Sequence, residues 1–121
     1  MPDEIALRLP RLMTAASLAR RAIRDEFAQH LGRDRIGDLS LVVTELVTNA
    51  VIHGRGAITL NIRVDGDDVY GQVVDEGGDF EWGVRERGPG ELDGRGLMIV
   101  SALSRRWGVH GGTTHVWFEL A

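Results

Sequence analysis

TELVTNAVIHG, residues 44–54, reads as the end of a core helix, yet it carries Glu45, Asn49 and His53. Polar residues spaced four apart stack along one face of an α-helix. Around them Leu41, Val42, Val43, Leu46, Val47, Ala50, Val51 and Ile52 cover most of the remaining circumference, which predicts a fully buried helix. The ordinary explanation of an i,i+4 polar pair is a stripe on a half-exposed helix. That explanation fits poorly with a polar line only one residue wide. Burying an unpaired carboxylate is costly, so the line calls for partners.

A magnesium ion and phosphate oxygens would supply such partners, since Mg²⁺ takes oxygen ligands and often only one or two from protein. Asn49 offers a neutral oxygen, and Glu45 could accept or orient the proton of an attacking hydroxyl. Working outward, Ile5, Leu7 and Leu9 alternate as a first strand that Pro10 stops. Between Thr14 and about His30 the apolar residues Ala15, Leu18, Ala19, Ala22, Ile23 and Phe27 recur at helical spacing, and Gly32 ends that helix. The helix of the opening stretch runs from Asp34 or Asp38 through Ile52 to a stop at Gly54. Ile58, Leu60, Ile62 and Val64 then alternate, Asp65-Gly66-Asp67-Asp68 turns the chain, and Val69 to Asp75 returns as the partner strand.

Residues 76–94 show no period and contain six glycines. A stretch of that length without structure is uncommon inside a compact domain unless it is functional or disordered. Asp75 precedes it, a carboxylate at a strand end that could meet a ligand amino group, although a turn-forming Asp is the commoner reason. Asp93-Gly94-Arg95-Gly96 closes it before a third helix, Leu97 to about Ser104, whose start would attract phosphate. Trp107 to His110 and His115 to Leu120 complete the sheet. The order β-α-α-β-β-loop-α-β-β predicts an α/β (α+β) two-layer sandwich, with a mixed, mainly antiparallel sheet and helices on one face. Neither repeats nor a linker divide the chain, so residues 1–121 are expected to form a single domain.

Composition narrows the function classes. The net charge of −4 argues weakly against direct nucleic-acid binding. All 14 basic residues are arginine, so neither a P-loop lysine nor the strand lysine of eukaryote-type kinases is available. Without cysteine there are no disulfides or thiolate metal sites, which suits a reducing compartment. No uninterrupted apolar run approaches the roughly 20 residues of a membrane span, and MPDEIALRLP is a poor signal peptide. A cytoplasmic protein with no membrane partner is therefore expected. The four histidines lack zinc-type spacing, and only His53 is placed to touch a ligand. No serine sits in a G-x-S-x-G setting.

Four boxes in order then become specific: Glu45-x-x-x-Asn49, Asp75-x-Gly77, Gly94-x-Gly96, and Gly112-Thr113-Thr114. The chain resembles the GHKL (Bergerat-fold) ATPase superfamily over nearly its whole length. It looks closest to the small stand-alone anti-sigma factor serine kinases and related actinobacterial regulators. The resemblance implies the Bergerat ATP-binding fold with ATP and Mg²⁺ as cofactors. Asn49 would bind the Mg²⁺, Glu45 would be the general base, and Asp75 would hold the adenine amino group with Gly77 beside it. His53 and Thr114 would line the nucleotide site, and Gly94, Arg95 and Gly96 would lie at the phosphates under a lid of residues 76–94. Two positions depart from the pattern: Asp79 stands where a glycine is common, and His115 separates Thr114 from the last strand. By resemblance the partners would be a sigma factor and a STAS-domain anti-anti-sigma protein, with a possible homodimer. The expected function is a regulatory serine/threonine protein kinase that also sequesters the sigma factor. The alternative is a catalytically silent ATP-binding switch that acts only through partner binding.

Overall fold

The computed structural model describes residues 3–77, 92–110 and 115–121, with residues 92–97 described through their backbone. Eight elements follow one another: β1 (Asp3–Leu9), α1 (Ala15–Phe27), α2 (Arg33–His53), β2 (Ile58–Asp65), β3 (Asp68–Val74), α3 (Leu92–Leu103), β4 (Ser104–His110) and β5 (His115–Leu120). The five strands form one sheet in the order β1-β2-β3-β5-β4. Among the described residues every neighbouring pair is antiparallel. Between β2 and β3 the chain reverses over Gly66-Asp67, and Gly66 takes φ 62°, which a two-residue hairpin turn of the II′ pattern asks of its first residue.

Alternation along the strands decides which face is buried. Ile58, Leu60, Ile62 and Val64 of β2, Val69 and Val73 of β3, and Val116, Phe118 and Leu120 of β5 all lie in the core. Residues of opposite parity form the outer face, where Glu4 and Arg63 face one another across β1 and β2, with Tyr70 next on β3. Gly71 stands opposite Phe118 in register. A Cβ at Gly71 would lie 2.3 Å from Phe118 Cζ, so the ring occupies the space that any larger residue would need.

The helices cover the inner face. α1 buries Ala15, Ala16, Ala19, Ile23 and Phe27, whereas Leu18, expected inside, is 43 % exposed. The buried arc is rotated toward Ala16 and away from Leu18. α1 ends at Phe27, and Gly32 serves as the residue before α2 rather than the stop of α1. α2 packs against α1, α3, β2, β3 and β5. It is not fully buried: Leu41 and Ile52 are 44 % and 45 % exposed. Leu41, Glu45, Thr48 and Ile52 follow i, i+4, i+7 and i+11 and form one half-open stripe. By length and a mean hydropathy of 1.3, α2 would also pass for a membrane span. Counting uninterrupted apolar residues did not reveal this, because polar residues punctuate the helix. Its buried face is instead the centre of the core.

α3 begins at Leu92, five residues before the expected Leu97. Gly94 and Gly96 are thus inside the first turns and do not precede the helix. Glycine costs about 1 kcal/mol in a helix interior. Val100 on the same helix is fully buried. β4 starts directly after α3, at Ser104, three residues before Trp107.

Candidate nucleotide site

The candidate site forms where the C-terminal end of α2 meets the end of β3. Asn49 lies on α2 at the border between its buried face and the half-open stripe, and is 2 % exposed. Its Nδ2 is buried with no hydrogen-bond partner among the described residues. An amide in that state has unspent capacity, and a buried one is costly to leave so. Glu45, one turn earlier, is half-buried rather than enclosed, and His53, one turn later, is half-buried too. The polar line therefore holds one buried amide between two accessible titratable groups.

Asp75 follows the last residue of β3 and is 7 % exposed. Its Oδ1 accepts the backbone N–H of Gly77 at 2.8 Å. Gly77 adopts φ 106°, a conformation that favours glycine. The other carboxylate oxygen lies against the residue that ends α2: a Cβ at Gly54 would be 2.0 Å from Asp75 Oδ2 and 2.7 Å from the Ala50 carbonyl oxygen. The N–H of Gly54 donates to that carbonyl at 2.9 Å, closing the helix. Asn49, His53 and Asp75 are thus brought to one end of the sandwich, with Gly54 as the point of contact.

Sequence reasoning missed three contributors at this junction. Arg11 donates from Nη1 to the carbonyls of Ala50 (2.6 Å) and Val51 (3.1 Å), and from Nη2 to that of Gly56 (2.9 Å). Glu76 accepts the N–H of Ala57 at 2.5 Å through Oε2 and donates its own backbone N–H to the Arg55 carbonyl at 2.8 Å. Gly54 is legible as a helix stop, but its contact with Asp75 is not. No spacing links Arg11 to residues some 40 positions away.

The remaining expected site residues divide by region. The backbone of Gly94, Arg95 and Gly96 lies in α3. Thr114 and residues 78–91 of the expected lid, with Asp79, lie outside the described residues. His115 belongs to the outer face, where its Nε2 lies 2.6 Å from Gln72 Oε1 and its ring centroid 4.4 Å from that of His110. Burial holds its pKa below the ordinary histidine value, and the neighbouring His110 adds to the effect. Among the described residues no group of three or more His, Cys, Asp or Glu could hold a metal by itself.

A helix-on-sheet sandwich with a buried amide and a strand-end carboxylate at one end matches the architecture of a nucleotide-binding domain. The family model described as the histidine kinase-like ATPase domain matches residues 9–120, and the chain belongs to that family. Among solved structures, the RsbU and RsbW domains of Rv1364c from Mycobacterium tuberculosis share the fold, with a TM-score of 0.72 at 22 % identity. That match covers 97 % of this chain but 30 % of the other. No curated protein sequence matches the chain. The sandwich expected from the element order is the fold observed, and an ATPase domain implies ATP as the ligand.

Proposed function

We propose that the chain is an ATP- and Mg²⁺-dependent regulatory serine/threonine protein kinase of the anti-sigma type. The carrying observation is the pairing on α2 of a buried amide, Asn49, whose Nδ2 has no described partner and could donate to a phosphate oxygen, with an accessible carboxylate one turn away, Glu45. A ligand held at Asn49 would lie deep, and a protein hydroxyl could still reach Glu45. Asn49 would hold the magnesium ion, whose chemistry is to screen the phosphate charge. Asp75 would accept the adenine amino group beside Gly77. Phosphoryl transfer rests on positioned charge more than on covalent chemistry, so few side chains suffice.

The four sequence boxes and the fold shared with an RsbW domain support the anti-sigma branch. A STAS-domain protein would then be the phosphoryl acceptor and a sigma factor the protein sequestered, in the cytoplasm. A second copy of the chain could complete the assembly. α1 offers a partner surface: Arg21 and Arg24 are exposed on it, while Arg20 is tied to Thr44 at 3.0 Å and to Ser17 at 3.2 Å.

Isothermal titration of ATP with and without Mg²⁺, on native, Asn49→Ala and Asp75→Asn protein, tests the nucleotide part. Magnesium-dependent binding that both substitutions weaken supports it, and no binding to native protein overturns it. Transfer of labelled phosphate to a STAS-domain protein, abolished in Glu45→Ala, tests the kinase part. Binding without transfer would leave the silent switch as the function.

A further inference from the structure

We propose that Glu76 and Arg11 are positioning residues: together they clamp the turn 54–57 and thereby set the Asp75 carboxylate relative to the end of α2. The inference deepens the nucleotide reading and rests on it. The turn is held from two sides. From one, the Arg11 fork ties the last carbonyls of α2, at Ala50 and Val51, to the carbonyl of Gly56. From the other, Glu76 grips the same turn twice, accepting the Ala57 N–H and donating to the Arg55 carbonyl.

Both glycines of the turn are points of closest approach to the 75–76 dipeptide. A Cβ at Gly54 would meet Asp75 Oδ2 at 2.0 Å, and one at Gly56 would meet Glu76 Oε2 at 1.6 Å. Gly56 also has φ 66°, so a side chain there is excluded by conformation and by space. The turn has no room to slip. Asp75 is covalently next to Glu76, and Asn49 is next to Ala50, whose carbonyl Arg11 holds. The clamp therefore links the two groups that would grip opposite ends of a nucleotide. Arg11 is suited to this by charge as well as shape, because a cation is favoured at a helix C-terminus. Its planar fork serves two separate backbone segments at once, which an ammonium point charge does not reproduce.

The test compares ATP with inosine triphosphate, which carries a carbonyl in place of the adenine amino group. Dissociation constants for both are measured on native protein and on Glu76→Ala, Glu76→Gln, Arg11→Ala and Arg11→Lys. Native protein should prefer ATP, because Asp75 accepts from the amino group. In Glu76→Ala and Arg11→Ala the ATP affinity should fall about tenfold with inosine triphosphate little changed, the size expected when a hydrogen bond to a charged group is misaligned. Glu76→Gln keeps an acceptor oxygen for Ala57 and should restore most of the preference, whereas Arg11→Lys should restore little.

Amide exchange at Ala57 and Gly77 should quicken in Glu76→Ala while the α1 amides stay protected, showing a folded protein with a loosened turn. Equal weakening of both nucleotides, or an unchanged preference in the alanine variants, overturns the positioning role and leaves ATP binding standing. A native protein that binds neither nucleotide overturns the nucleotide reading and the positioning role together.

Discussion

Among the described residues two carboxylates are buried, Glu119 on the sheet and Asp75 just past the end of β3, and their surroundings differ. Glu119 of β5, 4 % exposed, is enclosed by arginines from the neighbouring strand. Arg106 Nε donates to it at 2.8 Å and Arg105 Nη2 at 2.5 Å, while Arg105 also reaches Asp68 at 3.3 Å. Hydrogen bonding from Arg106 and then Arg105 holds the Glu119 pKa below its ordinary value of 4.5, against the opposing effect of burial. Arg105 is raised in turn, chiefly by Glu119. Asp75, 7 % exposed, accepts the Gly77 N–H, and the α-carbon of Gly54 lies close against its second oxygen. A carboxylate matched by two guanidinium groups ties strands together. Asp75 is approached by backbone at two glycines, Gly54 and Gly77.

The comparison can be broken by exchanging the consequences. Asp75→Asn should weaken ATP binding roughly ten- to a hundredfold, the range for a lost hydrogen bond to a charged group. Titration calorimetry reads this, and the melting temperature should hardly move. Gly54→Ala should both destabilise, by about 1–3 kcal/mol for overpacking, and weaken ATP binding, since its methyl group would enter the space of Asp75 Oδ2. Denaturant unfolding alongside titration separates the two effects. Glu119→Gln should do the reverse of Asp75→Asn, lowering the melting temperature while leaving ATP affinity unchanged.

The smallest effect sharpens the contrast through pH. The folded Glu119 carboxyl titrates below its unfolded value, so its contribution is fully present above about pH 4.5 and is lost as pH falls through the folded pKa. The stability gap between native and Glu119→Gln protein should therefore close on acidification below that point. Denaturant midpoints measured at successive pH values check this, and a gap that widens in acid would contradict the arginine pairing.

Much of this was legible in the chain. Period-two alternation located the core faces of β1 and β2, because a pleated strand sends alternate residues to opposite sides. Asn49 stood out because a polar line on an apolar helix calls for partners, and Asp75 as a carboxylate at a strand end; both proved buried. Boundaries were less legible. α3 starts five residues early, at Leu92, with Gly94 and Gly96 inside it, against the low helix propensity of glycine. Leu18 and Leu41 are exposed because helix periodicity marks an apolar arc wider than the one the neighbours cover.

The sequence by itself determined the elements, the inward face of the strands and the polar line Glu45-Asn49-His53, since each depends on residues near one another in the chain. Only the tertiary structure decided what surrounds each buried acid. Arg105 and Glu119 are joined by strand pairing, and Arg11, Gly54, Asp75 and Glu76 are joined where α2 meets β3. Hydrogen bonds and close contacts act over a few ångströms, and folding alone brings residues tens of positions apart within that reach.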